Sequence, residues 1–285
     1  GAGIVGLAIA REIAIRRPGV NVTVFDKEVH VGAHASGRNS GVLHAGFYYD
    51  PSSLKARLTR DGNRMLHAFL AANDVRVRRT GKVVVTTDEA QLAALDELAR
   101  RGEANGVEVH VIDETELRQI EPQARTVGRA LWSPTTSVAA PLAVIEALRA
   151  DAQRLGVRVE LGTPVHSAGP GWLAAGSQRI SVGHIVNAAG LQADRVAEWF
   201  DARGDYIVLP FKGLYSTLPA GFLQRHVYPV PDPRNPFLGV HATVTVDGRV
   251  KIGPTAIPAL WRENYGGVGG FSGREVLQVA RGLAV

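Results

Sequence analysis

Read for the alternation of apolar and polar positions, the chain opens on a glycine-rich turn and runs straight into a helical pattern, Leu7-Ala8-Ile9-Ala10-Arg11-Glu12-Ile13-Ala14. Pro18-Gly19 breaks that helix, and residues 20–25 are rich in β-branched side chains, which predicts a strand ending at Asp26. Residues 32–46 carry glycine and serine with neither helical nor strand period and read as a functional loop. Helical spacing returns over 54–70, a strand is predicted over 81–87, and Asp88 is placed to cap a helix over 89–105 closed by Gly106. A second α/β stretch follows: a helix over 142–155, a strand over 157–161, a hairpin of 172–174 with 180–182, and a short buried strand at 185–190. Beyond Asp205 the texture changes. Prolines at 229, 231, 233 and 236, with strand-like residues at 237–245 and 250–252, predict an antiparallel sheet belonging to a second domain.

The opening Gly1-Ala2-Gly3-Ile4-Val5-Gly6 fits the pattern of a dinucleotide turn. The first glycine permits a tight bend, the second lets a pyrophosphate approach the backbone, and the third lets helix and strand pack closely. The helix N-terminus then offers unpaired N–H groups and the positive end of its dipole to phosphate. Asp26 at the second strand end suits ribose hydroxyls, which favours FAD or NAD over NADP. Such a turn normally follows a buried strand, and the last residues read as helix. The chain is therefore expected to be a fragment cut short at both ends.

Composition narrows the classes. The chain has 285 residues, 45% hydrophobic and 21% charged, enough for two modest domains. The absence of cysteine excludes disulfides, thiolate metal sites and cysteine nucleophiles. A net charge of +5 with no basic block interleaved with aromatics argues against nucleic acid, while a mildly basic surface suits anionic substrates or lipid heads. No apolar run is long enough to span a bilayer. The expectation is a cytoplasmic protein with room for peripheral contact on the inner membrane face. No His-x-x-x-His or similar cluster suggests a metal.

The specific signal lies in residues 35–49, Ala-Ser-Gly-Arg-Asn-Ser-Gly-Val-Leu-His-Ala-Gly-Phe-Tyr-Tyr, followed by Pro51-x-Ser53-Leu54-Lys55-Ala56. Further stretches are Asn187-Ala188-Ala189-Gly190-Leu191, Pro210-Phe211-Lys212-Gly213, Tyr228-Pro229-Val230-Pro231-Asp232-Pro233, Pro236-Phe237-Leu238-Gly239-Val240-His241 and Gly253-Pro254-x-Ala256. In this combination the chain resembles the FAD-dependent D-amino-acid-oxidase superfamily and, within it, the L-2-hydroxyglutarate oxidase/dehydrogenase family. The resemblance implies an α/β, Rossmann-like FAD domain with an inserted antiparallel-sheet substrate domain. The expected boundaries are 1–78 and 141–203 for the FAD domain, and 79–140 and 204–285 for the substrate domain.

It also implies an FAD site made of Gly1, Gly3, Gly6, Asp26, Lys27, Ser36, Arg38, Asn39, Ser40, Gly41, Ala189 and Gly190, with Val165 beside the adenine. The residue chemistry agrees: serine, asparagine and backbone N–H groups suit pyrophosphate and ribityl oxygens, Arg38 adds charge, and alanine and glycine let the backbone pass close to a cofactor. The plain alternative for 35–49 is a surface loop whose serines only cap the next helix.

Oxidising a 2-hydroxy acid needs a base for the hydroxyl proton and cationic or hydroxyl groups for carboxylates. His44, directly after the flavin-gripping loop, is the first candidate for base or hydroxyl-orienting group, and His241 on a predicted strand is the second. Tyr49, Lys55, Lys212, Tyr215, Tyr228 and Thr243 are the candidates for substrate contact. Two departures from the family pattern bear on which acid is taken. Lys212-Gly213-Leu214-Tyr215 stands where Arg-Gly-acidic-Tyr is usual, and Val244 follows His-x-Thr. The expected function is FAD-dependent oxidation of an L-2-hydroxy acid, most simply L-2-hydroxyglutarate, with oxygen or a quinone as electron acceptor. The alternatives are an amine or amino-acid oxidase on the same scaffold, or a non-catalytic dinucleotide-binding remnant.

Overall fold

The computed structural model describes residues 1–232 and 239–283. Pro233 and the 236–238 part of the proline motif lie outside the described residues. The chain divides into two compact units: Gly1–Asn39, Pro141–Lys212 and Ile257–Val285 form one, and Ser40–Ala140 with Gly213–Ala256 the other.

In the first unit the helix Ile4–Arg16 buries Leu7 and Ala10, and Arg11 pairs with Asp151 of the helix Pro141–Arg154 at 2.5 Å. The strand Thr23–Phe25 pairs in parallel with Arg158–Glu160, the strand that follows the helix Pro141–Arg154. Trp172–Ala175 and Gln178–Ser181 form the expected hairpin, flanked by Val165–Gly169. Residues 185–189 are neither a strand nor buried: no described strand lies alongside to supply ladder hydrogen bonds, and Val186 is 55% exposed. The helix Gly273–Leu283 also belongs to this unit.

The second unit is built on a seven-stranded sheet in the order Phe211–Leu218, Val250–Pro258, His241–Val244, His226–Pro229, Lys82–Val85, Arg129–Ser133, His110–Asp113. The antiparallel expectation needs one correction, because His226–Pro229 and Lys82–Val85 run parallel, with His226 opposite Lys82. Lys82–Val85 is central and buried throughout, so its valines serve both faces. One face carries Phe47, Val84, Leu95, Leu98, Leu131 and Tyr228, and the helix Leu92–Ala104 packs there. Each such fully buried side chain contributes about 1.5–3 kcal/mol. The predicted Asp88 cap does not form; a short 3-10 turn, Glu89–Gln91, opens the helix, and Gln91 Oε1 accepts the Thr87 amide at 2.8 Å.

Residues 40–78 fall in the sheet unit rather than with the nucleotide turn, and 257–283 fall with the nucleotide turn. The physical reasons are specific. Val42–Leu43 and Val77–Arg78 both pair with Ser137–Ala139, and Asn63 on the helix Leu54–Ala72 donates to the carbonyls of Leu43 and His44 at 3.1 Å. On the other side, Arg262 binds Asp194 through two hydrogen bonds, 2.5 and 2.7 Å long.

Candidate cofactor and substrate sites

In the first unit, Gly3 N-caps the helix Ile4–Arg16 in extended conformation and has no side chain to offer. The missing acceptor comes from the serine loop: Ser36 Oγ takes the amide of Ile4 at 3.0 Å. Asp26 closes the turn from the other side, accepting Ala2 N at 2.6 Å and Glu28 N at 2.8 Å on its two oxygens. A carboxylate has about four lone-pair sites, so two remain for further donors. A Cβ at Gly6 would stand 1.9 Å from the Gly1 carbonyl oxygen, and one at Gly1 would stand 2.6 Å from that of Ala188. Only glycine fits either place. The glycine turn, the serine of the second loop and the alanine-glycine segment therefore meet at one helix N-terminus.

These residues fit an FAD nucleotide: amides of a first helical turn, the positive end of a 13-residue helix, and backbone stripped of side chains. The other first-unit candidates are arranged less directly. Asn39 Nδ2 braces its own loop on the carbonyls of Ala35 and Ser36. Arg38 lies 4.0 Å over the Tyr265 ring and donates to the Ala33 carbonyl. Lys27 is held by Glu28 and, at 2.9 Å, by Glu263. Glu28, His34 and Glu263 bring three ligand-type atoms within 4.8 Å of one another, and the Lys27 ammonium sits among them as their cation. Val165 begins its strand, Ala189 and Gly190 enter a short 3-10 turn, and Lys212 donates to Asn264 at 2.9 Å. Ser40 and Gly41 belong to the other unit, where the Gly41 carbonyl accepts Ala139 N.

The second unit gathers His44, Tyr228, Thr243 and His241. Tyr228 is 2% exposed; it stacks on His241 with ring centroids 4.0 Å apart and meets His44 edge-on at 6.5 Å. Its hydroxyl lies 3.5 Å from Thr243 Oγ1, and burial pushes its pKa up to about 12. His241 Nδ1 lies 2.9 Å from the Gly239 carbonyl, an acceptor only, so this nitrogen carries the proton and Nε2 keeps a lone pair. Burial lowers the pKa of His241, and burial with the nearby Lys82 and His241 lowers that of His44 to about 3. Both rings are neutral at physiological pH. Elsewhere in this unit Lys55 stands 4.5 Å over the Tyr49 ring, while Tyr215 is 40% exposed.

Two residues that the sequence motifs did not mark belong to the same cluster. Lys82 is fully buried, its ammonium 4.7, 4.3 and 4.7 Å from the ring centres of Phe47, Tyr48 and Tyr228. His226 is also fully buried: Nδ1 accepts Val244 N at 3.0 Å, which leaves the proton on Nε2 for Thr80 Oγ1 at 2.7 Å. The signal available for Lys82 was a lone cation heading a run of valines. Its neighbour Gly81 has φ +64°, and a Cβ there would strike the Trp132 ring at 1.9 Å.

The fold and the glycine turn define a class, and comparison with known proteins assigns it. Residues 1–281 match the family described as FAD dependent oxidoreductase, and the chain belongs to that family, whose cofactor is FAD. Among its relatives is the mitochondrial L-2-hydroxyglutarate dehydrogenase of Caenorhabditis elegans, 35% identical over 278 residues, covering 93% of this chain and 64% of that protein. The L-2-hydroxyglutarate dehydrogenase of Escherichia coli strain K12 is 33% identical over 273 residues with the same coverages, 93% and 64%. The chain thus spans about 64% of the length of these relatives. Among solved structures, L-proline dehydrogenase from P. horikoshii superposes with a TM-score of 0.80 at 21% identity, covering 99% of this chain and 75% of that one. L-alpha-glycerophosphate oxidase from Mycoplasma pneumoniae gives 0.78 at 22% identity, covering 99% and 76%. At these identities the structural likeness speaks for the fold.

Proposed function

We propose that this chain carries the FAD-binding and acid-handling parts of an enzyme that oxidises an L-2-hydroxy acid, L-2-hydroxyglutarate first, to the 2-oxo acid. The observation that carries the reading is the pair of neutral histidines that meet Tyr228, one stacked on it and one edge-on, the stacked one with a proton-free Nε2. An alcohol must give up its hydroxyl proton as its Cα–H leaves with two electrons, and a neutral imidazole accepts that proton. His241 is the base in this reading. His44, held neutral further into the acid range, orients the hydroxyl by donating its one ring N–H to the hydroxyl oxygen. Tyr228 and Thr243 contribute hydroxyls to the same cluster, and the carbonyl that remains on the acid is the oxidised product. FAD supplies the two-electron acceptor when bound, and Gly1, Gly3, Gly6, Ser36 and Asp26 are the residues that would hold it. Oxygen or a quinone then takes the electrons. No described helix is long and apolar enough to cross a membrane; for the enzyme we favour the cytoplasm, with peripheral contact at the inner face serving a quinone.

The choice of acid rests on relatives of 33–35% identity that bear the name L-2-hydroxyglutarate dehydrogenase. The test is anaerobic bleaching of the flavin in the full-length protein by a panel of 2-hydroxy acids and amines. Fast bleaching by L-2-hydroxyglutarate is expected, slowed about 10²–10⁴-fold in His241→Asn without loss of bound flavin. Bleaching by sarcosine, glycine or D-amino acids alone would overturn the assignment, and a colourless full-length protein would point to a non-catalytic remnant.

A further inference from the structure

Two buried polar atoms in one group of side chains have no hydrogen-bond partner among the described residues: Nζ of Lys82 and the hydroxyl of Tyr48, both in the sheet unit. Lys82 stands 4.3 Å over the Tyr48 ring, with Phe47 and Tyr228 closing the cage at 4.7 Å each. Aromatic faces attract an ammonium, but they supply no counter-charge. No ion pair to Lys82 forms among the described residues, and burial alone draws its pKa down to about 7. The ammonium can only donate and the phenol can donate, so one acceptor would serve both. A water or a carbonyl would satisfy the hydroxyl and leave the ammonium uncompensated; a carboxylate does both. The cage is continuous with the histidine cluster, because Tyr228 is at once a wall of the cage and the ring stacked on His241.

We infer that Lys82 and Tyr48 form a carboxylate anchor for the acid handled by this unit, the ammonium as counter-ion and the phenol as second donor. The inference rests on the reading of the chain as an acid-oxidising enzyme and adds to it an anion site none of the sequence motifs marked. Lysine suits this role because its flexible four-carbon stem lets a compact charge leave the rings to meet a ligand.

The test uses the full-length holoprotein, with glutarate and its neutral diamide, glutaramide, titrated by calorimetry. The wild type is expected to prefer glutarate. Lys82→Met should lower the ratio of the two affinities about 100-fold, and Tyr48→Phe, which removes one oxygen and keeps the ring, about 10-fold, with bound flavin unchanged. A purely structural role would weaken both ligands alike, and that result overturns the anchor, as does unaltered glutarate binding in both variants. If Lys82→Met fails to fold, Tyr48→Phe decides alone. Lys82-dependent glutarate binding in a protein whose flavin no 2-hydroxy acid bleaches would keep the anchor and reject the oxidation reading.

Discussion

Lys82 shows how one residue sets stability against chemistry. An ordinary lysine in a central strand would be replaced by valine at a gain, because burying an ammonium without a partner is costly and three aromatic faces return only part of the cost. Its pKa, lowered from 10.5 to about 7, fixes where that penalty acts. Below about pH 7 the folded and unfolded chains both carry the proton and the full penalty is present. Between 7 and 10.5 the folded amine sheds its proton first and the penalty fades. Lys82→Met is therefore expected to stabilise the ligand-free protein by a few kcal/mol at or below neutral pH, and by progressively less as pH rises towards 10.5. Urea unfolding at pH 6, 8 and 10 checks this, and a loss of stability at pH 6 would contradict it.

Elements hold the nucleotide turn in shape through long-range ties. The helix Ile4–Arg16 depends on Ser36 for its cap and on Gly6 for its approach to the turn. Gly6→Ala would press a methyl group against the Gly1 carbonyl, and the expected result is a full-length protein purified without flavin absorbance. Arg262, just beyond the strand Val250–Pro258, is tied by two hydrogen bonds to Asp194 in the short helix Ala193–Glu198; they are 3% and 8% exposed. Burial alone would push the Asp194 carboxyl up, but the guanidinium and the Val208 amide hold it below its usual range. Arg262→Met leaves that carboxylate buried and unpaired, and thermal or urea unfolding should register a loss of about 3–5 kcal/mol.

At the scale of the whole molecule, the interior imidazoles govern behaviour in acid. The pKa of His226 falls from 6.5 to about 3 through burial first, then the charges of Lys82, His44 and His241, and that of His44 moves alike. Between pH 6.5 and 3 the unfolded chain takes up protons that the folded one refuses. Stability is thus retained above about 6.5 and lost as pH falls, by about 1.4 kcal/mol per pH unit for each histidine. Denaturation from pH 7 to 5 should show this slope, and His226→Gln should flatten it.

What could be read from the sequence alone follows the same division between near and far. The first helix after the glycine turn, the strand ending before Asp26, the helix from Leu54 and the hairpin were legible, because neighbours along the chain determine them. Residues 185–190 were read as a strand from composition, although a strand exists only where another lies beside it. Lys82 and His226 carried no motif. Their burial comes from facing each other across a parallel pair joined through distant sequence, which no local pattern encodes.

That same pairing bears on how the protein is made. Lys82–Val85 meets Arg129–Ser133 early, but its other edge stays bare until His226–Pro229 arrives, after the Pro141–Lys212 portion of the other unit has been synthesised. During translation a valine-rich ribbon with open backbone donors and acceptors waits for a late partner, a slow, high-contact-order closure that invites intermolecular pairing. A cation at the head of that ribbon, still hydrated while the edge is open, discourages two nascent chains from zipping together before the sheet is complete.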